Sequence, residues 1–306
     1  MADGTPGRGR RSVLTALAIG LSGTAGCSRV IDETDGRPET VSMLAAGSLY
    51  NALENGLRPD LDHPAEIEAH GSAKAARLVA DEQKDPDIIS VADTALFDSQ
   101  LTPEWYTEFA TNELVVIVNP ETEGGRRLAD AGTNEWYRTL RARGIALGRT
   151  DPDFDPLGYR TLFMLELATE HYGLQADLRD QIIDRDQIYP ETQLVSQFET
   201  GAIDAAIAYR NMAVERGYDY IELPPEINFG TPEFTERYES VAYELPSGVV
   251  VEGGLISYAS TVRHLSQVSI EVFDSHTDGS YLTEFGFGVP EDYPRETGHV
   301  PETVRS

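Results

Sequence analysis

The sequence predicts an α/β fold with mainly parallel sheets flanked by helices, and three observations carry that prediction. Short apolar runs alternate with helix-periodic stretches along most of the chain, the order that builds parallel sheets. One run, Leu114-Val115-Val116-Ile117-Val118, is apolar throughout and mostly β-branched, as a strand buried on both faces would be. The chain of 306 residues is also long enough for two medium-sized lobes.

The first unit is Val41 to Leu57. Val41, Met43 and Leu44 form an apolar run that breaks at Ala45-Ala46-Gly47-Ser48. Leu49, Leu53 and Leu57 then recur at four-residue spacing, one face of a helix. Ser48 therefore falls where a strand gives way to a helix. The unpaired N–H groups and the aligned peptide dipoles there favour an anion, and a serine there could also simply cap the helix. From Ala65 the plan repeats: Ile67 and Ala69 alternate with charged residues, and His70-Gly71-Ser72 leads into Ala73-Lys74-Ala75-Ala76-Arg77-Leu78. Ser72 thus occupies the same kind of position as Ser48, with Lys74 the nearest cation.

Pro86 to Asp93 reads as a strand ending in small and acidic residues, and the buried run closing at Asn119-Pro120 as a first crossing between lobes. Trp136, Tyr137 and Leu140 belong to a helix and Ile145 to Gly148 to a short strand. Asp151 to Arg160, with two prolines, three aspartates and a glycine, makes a rigid loop feeding a helix that stops near Gly173. Asp155 there can cap that helix or meet a ligand. Leu194, Val195 and Phe198 form a helix ending near Gly201, and Ala205 to Tyr209 a strand with Tyr209 its last residue. Tyr209 could equally be a core aromatic whose hydroxyl needs one partner. Ile221 to Val251 is turn-rich and carries no motif. Leu255 to Ala259 reads as a return crossing, Val268 to Phe287 as a terminal helix pair, and Val289 to Ser306 as a polar surface tail. Ser48, Ser72, Asp155 and Tyr209 all fall at C-terminal ends of strands, where open α/β sheets bind ligands.

Ahead of the fold, Arg10-Arg11 precedes the apolar run LTALAIGLSGTAG, which stops at Cys27. That run is shorter than the ~20 apolar residues of a durable membrane span and fits an export signal over 1–26 of the twin-arginine, lipoprotein type. Cys27, the only cysteine, would be the lipid anchor and can form no internal disulfide. Residues 27–40 read as a flexible tether.

Net charge is −28, from 52 acidic and 24 basic residues, and the acidic residues are dispersed rather than gathered in a tail. Such a chain repels itself in dilute buffer and is relieved at molar salt, where the Debye length is ~3 Å. This reads as a halophilic surface. Nucleic acid is excluded as a partner because no basic patch exists. The histidines are dispersed, and no HExxH, CxxC or GxSxG motif occurs, so catalysis is not expected; a carboxylate pair such as Asp153 and Asp155 would lack a second partner.

The motifs AAGSL at Ser48, GSAKAARL at Ser72, SVAD at 90–93, WYTEFATNELVV at 105–116, DPLGYR at 155–160 and ETGAIDAAIAYRNMA at 199–213 together resemble the archaeal molybdate/tungstate-binding proteins of ABC importers. The resemblance runs from Val41 to the C-terminus. It implies a two-lobe periplasmic-binding-protein fold, type II-like, with a two-strand hinge: lobe 1 over 41–116 and 255–306, lobe 2 over 117–254. It also implies an extracytoplasmic monomer that takes molybdate or tungstate between its lobes and passes it to an ABC permease and its ATPase, touching the membrane only through the lipid. No cofactor beyond that cargo is implied. Carried over, Ser48 and Ser72 would donate from the first lobe. Asp155 would be the carboxylate at the molybdenum or tungsten, and Tyr209 with the backbone near Glu191 and Thr192 would complete the second lobe's side. In that branch a glutamate precedes the tyrosine as a second carboxylate; Ala208 stands here, which implies a four- or five-coordinate site with Asp155 as the only acidic contact. A carboxylate beside an anion needs to touch the metal or carry a proton, so Asp155 favours a metal oxyanion over sulfate. A binder of sulfate, phosphate, ferric iron or an organic anion, or a hydrolytic enzyme, are the alternatives.

Overall fold

The computed structural model describes residues 39–304 apart from 142–143, 154, 184–186, 247 and 249. The expected export signal, Cys27 and nearly all of the tether lie outside the described residues. Strand β1 (Val41–Ala46) enters a tight helical run: a 3-10 turn (Gly47–Leu49), α1 (Tyr50–Ala52) and a π turn (Leu53–Leu57). Leu49, Leu53 and Leu57 are buried beneath it, as their spacing predicts. Then follow β2 (Ala65–His70), α2 (Ser72–Ala80), β3 (Ile88–Val91), β4 (Trp105–Thr111) and β5 (Leu114–Val118). The chain continues through α3 (Glu123–Arg141), broken at Gly132 where φ is +58°, then β6 (Leu147–Arg149), α4 (Pro156–His171) and α5 (Leu178–Ile183). Next come β7 (Gln187–Ile188), α6 (Glu191–Glu199), β8 (Ala205–Tyr209), α7 (Arg210–Arg216), β9 (Tyr220–Glu222) and α8 (Thr235–Tyr238). The hairpin β10 (Ala242–Glu244) and β11 (Val250–Glu252), then β12 (Ser257–Val262), α9 (Gln267–Thr277) and β13 (Arg295–Gly298) complete it.

Two sheets carry the two lobes. The first has strand order β13-β4-β12-β3-β1-β2, the second β7-β6-β8-β5-β9. Both are mixed, which corrects the expectation of mainly parallel sheets. Pairs joined by a helical crossover are parallel: β1 with β2 and β3, and β6 with β7 and β8. Strands that arrive from the other lobe or from the tail need no crossover, and they pair antiparallel.

Three further boundaries differ from the sequence reading. The five residues of β5 are fully buried as predicted, and they pair with β8 and β9, so the first crossing lies at Asn112–Glu113 rather than after residue 116. A strand buried on both faces needs neighbours from one sheet along its whole length. The second of the expected terminal helices is a 3-10 segment, Ser280–Phe285. The polar tail contributes β13, an exposed edge strand on β4. The crossings themselves lie side by side, since the Asn112 amide donates to the Ile256 carbonyl at 2.9 Å and Ile256 in turn donates to Phe229 at 2.9 Å.

Candidate ligand-binding cleft

The C-terminal ends of β1, β3 and β8 and the N-terminus of α4 meet around a cavity of about 590 Å³. Ser48, Ser72, Asp155 and Tyr209 all line it, so four positions predicted from strand ends converge on one space. Glu191 and Thr192 open the first turn of α6; their side chains lie outside the described residues.

Neither serine caps its helix. The helical run after β1 has Ala46 at its N-cap and α2 has Gly71, neither with a side-chain cap bond. Ser72 Oγ instead accepts the Ala92 amide at 2.9 Å, tying α2 to the end of β3. With its oxygen so used, its proton is free for an acceptor in the cavity. Ser48 Oγ shares a 2.9 Å hydrogen bond with the Tyr258 hydroxyl. The first amides of α2 precede its first internal bond, from the Lys74 amide to the Gly71 carbonyl, and so add donors to the same wall.

On the opposite wall Asp155 does cap α4, its carboxylate accepting the Leu157 amide at 2.8 Å, with Pro156 at the first helical position. Capping and cavity lining coexist because the bond engages one of the two carboxylate oxygens. Burial raises its pKa, partly opposed by the Leu157 amide and by Arg160, so a protonated Asp155 is more accessible than in water. The rigidity of the loop has a local cause at Gly158. A Cβ there would lie 2.5 Å from the Asp151 carbonyl carbon, so only glycine lets 151–152 pack on the first turn of α4.

Tyr209 Oη accepts a 2.6 Å hydrogen bond from Arg160, whose guanidinium also lies 5.8 Å from the Tyr209 ring centre. Burial raises the phenol well above its ordinary value, so it stays protonated and keeps its own proton for the cavity. Burial opposes the charge on Arg160, but Tyr209, Tyr159 and Asp93 around it more than offset that, and it remains a cation.

Sequence reasoning singled out the motif DPLGYR but assigned no role to Arg160, which is the cation facing the cleft from that very motif. It likewise flagged the end of β3 without assigning Asp93. Counting the lining residues, three are acidic (Asp93, Asp155, Glu215) and three basic (Lys74, Arg160, Arg216). Asp155 thus shares the cleft lining with two other carboxylates, Asp93 and Glu215. Ala208 is fully buried and packs with Val115, Leu194 and Phe198 on the face of the second sheet turned away from Tyr209's core neighbours. A carboxylate at this position would enter an apolar layer. Among the described residues no cluster of three or more His, Cys, Asp or Glu side chains is placed to hold a metal ion.

Asn112 and Asn211, both buried, and Tyr258 bridge the two walls. Asn112 Nδ2 donates to Asn211 Oδ1 at 2.8 Å and to Tyr258 Oη at 3.2 Å, and Asn211 Nδ2 donates to the Ser48 carbonyl at 3.2 Å. Nothing in the local sequence pattern points to this ring, because its members come from a crossing, a helix and a strand far apart in the chain.

Residues 43–262 match the family described as bacterial extracellular solute-binding protein. A Haloferax volcanii protein named as a putative ABC transporter molybdenum-binding protein is 48% identical over 309 residues, covering 99% of each chain. The molybdate/tungstate-binding protein WtpA of Pyrococcus abyssi is 32% identical over 280 residues, 78% of each chain. Among solved structures the periplasmic molybdate-binding protein of Azotobacter vinelandii superposes with a TM-score of 0.53 at 14% identity, over 82% of this chain and all of that one. At that identity the superposition speaks for the two-lobe fold alone. In the described residues no helix is long and apolar enough to cross a membrane. With the match spanning both crossings and every strand of the two sheets but the edge strand β13, the chain belongs to the extracellular solute-binding protein family.

Proposed function

We propose that this protein captures molybdate or tungstate in the cleft between its lobes and delivers it, chemically unchanged, to an ABC importer. The observation that carries the reading is the state of the donors. The Ser72 and Tyr209 oxygens are already occupied by a backbone amide and by Arg160, which leaves their protons for an incoming oxyanion. The relatives named for molybdenum and for molybdate/tungstate support the choice of anion. Asp155 adds a specific argument: a carboxylate that burial pushes toward protonation can donate to an oxo group or, when ionised, contact the metal. A sulfate site has no use for the second option.

Catalysis is disfavoured by the same geometry. The described serine–histidine contact, Ser90 Oγ to His276 Nε2 at 2.8 Å, is completely buried, and Tyr281 rather than a carboxylate meets the other ring nitrogen. No substrate reaches it. The reading extends to a monomer held outside the cell membrane by lipid on Cys27, a mature N-terminus that mass spectrometry of the membrane fraction would test.

Thermal unfolding in molar KCl with molybdate, tungstate, sulfate and phosphate tests the ligand. A ligand that binds only the folded protein adds RT ln(1 + [L]/Kd), about 2.7 kcal/mol at a hundredfold excess over Kd. Stabilisation by molybdate or tungstate at concentrations where sulfate has no effect is the expected result. Stabilisation by sulfate alone would overturn the assignment.

A further inference from the structure

The Ser48–Tyr258 hydrogen bond has a direction, and the surrounding bonds determine it. Asn112 Oδ1 accepts the Glu113 amide at 2.9 Å, which fixes the other end of that side chain as its NH2 group. Both protons of that NH2 are used, one on Asn211 Oδ1 and one on Tyr258 Oη. Tyr258 is 1% exposed, and its oxygen therefore accepts from Asn112 while its own proton needs an acceptor. The Ser48 oxygen at 2.9 Å supplies one. Ser48 then accepts, and its proton turns to the cavity it lines. Asn211, which receives the other Asn112 proton, holds the Ser48 carbonyl from the second lobe's α7.

From this geometry we infer that Tyr258 is a positioning residue for ligand capture: a relay from Asn112 through Tyr258 orients the Ser48 hydroxyl as a donor into the cleft. The relay starts at the crossing between the lobes, so the residue that joins the two sheets also sets the polarity of a ligand contact. Unlike Ser72 and Tyr209, whose oxygens are occupied directly by an amide and a guanidinium, Ser48 has a hydroxyl partner that could donate or accept. Without Asn112 behind it, that partner would leave the serine's proton unassigned. The inference rests on the cleft being an oxyanion site.

A double-mutant cycle on binding tests it. Affinities are measured by calorimetry for wild type, Ser48→Ala, Tyr258→Phe and the double variant, using whichever of molybdate, tungstate and sulfate the wild type binds. Tyr258→Phe is expected to weaken binding about tenfold, the scale of one hydrogen bond to a charged group. In the Ser48→Ala background the same change is expected to cost less than about twofold, because its effect passes through the serine. A structural role alone would lower affinity equally in both backgrounds, and that additivity, or no loss in either, would overturn the relay. Asn112→Asp gives a second reading with a side chain of the same shape. A carboxylate oxygen facing Tyr258 would draw its proton and turn the serine's proton away from the cleft, and it would also face Asn211 Oδ1, which accepts from Asn112 at 2.8 Å in the wild type. Part of the loss should therefore persist without the serine, and the loss should be clearly smaller in the Ser48→Ala background. An equal loss in both backgrounds, or none, would refute the direction assigned here. Wild-type binding of sulfate alone would overturn the molybdate reading and leave the cycle able to judge the relay; binding of none of the three would overturn both.

Discussion

Replacing Ser72 by alanine separates two functions of one hydroxyl, and the structure gives a size for each. As acceptor, Ser72 Oγ satisfies the Ala92 amide at 2.9 Å. Losing that partner costs about 1–3 kcal/mol when the amide is buried. Ala92 is only partly buried and lines the cavity, so water can replace the serine and the lower end applies. As donor in the proposed site, the same hydroxyl would make one hydrogen bond to a charged ligand, about 1.5–3 kcal/mol, or roughly 10- to 150-fold in Kd. Ser72→Ala is therefore expected to lower the stability of the ligand-free protein by about 1 kcal/mol while weakening oxyanion binding by at least about tenfold. Denaturant unfolding without ligand and calorimetry with it, both in molar KCl, measure the two effects on one preparation. A variant that loses the stability but binds within about twofold of wild type would refute the reasoning. The hydroxyl would then be a tie between α2 and β3 and nothing more.

Three other outcomes follow from the geometry. Asp155→Asn preserves the cap, since asparagine caps as well as aspartate, and removes a carboxylate whose pKa burial raises. Because the folded state binds that proton more tightly than the unfolded one, wild-type stability without ligand should fall as pH rises above the ordinary value of 3.8, and the variant should lack that component. Its ratio of molybdate to sulfate affinity should also change, and an unchanged ratio would remove Asp155 from the contact set. His276 has the opposite sign: burial lowers its pKa from 6.5 to about 3, so stability is complete above 6.5 and is lost as pH falls toward 3. His276→Gln, which can keep a partner for Ser90, should flatten the acid side of a stability profile worth several kcal/mol in the wild type. Gly158→Ala forces a Cβ against the 151–152 backbone and should cost about 1–3 kcal/mol, with weaker binding through a displaced Asp155; an unchanged melting temperature would show that the loop can move aside.

What the sequence made legible was local. The four-residue spacing of Leu49, Leu53 and Leu57, the β-branched run of β5 and the Asp-Pro loop before α4 each carry their own periodicity or backbone restriction, and each forms where expected. Of the expected site residues, Ser48, Ser72 and Tyr209 fall at or just past strand ends, and Asp155 at the start of α4. Pairing direction was not legible, because whether β5 or β12 runs parallel to its neighbours depends on which lobe the chain has come from. The Ala208 inference took no account of side-chain alternation. The residue before Tyr209 points to the opposite face of β8, toward Leu194 and Phe198, so adjacency in sequence does not mean adjacency at the cleft. Arg160 went unassigned for a related reason: its position on α4 is apparent from the motif, but its 2.6 Å bond to Tyr209 joins residues on separate elements.

The charge balance decides how so acidic a chain can hold an anion at all. With a net charge of −28 its average field repels a divalent oxyanion, yet the three acidic and three basic side chains lining the cleft cancel formally. The two contributions respond differently to salt. Dispersed surface carboxylates act through solvent and are screened within a few ångströms at molar ionic strength. Arg160 is half-buried against Tyr209, where screening reaches less. Raising KCl therefore removes the long-range repulsion and retains most of the local attraction. Over the range where the folded state is intact, oxyanion affinity should hold or improve as salt rises, the reverse of a site that depends on a basic surface.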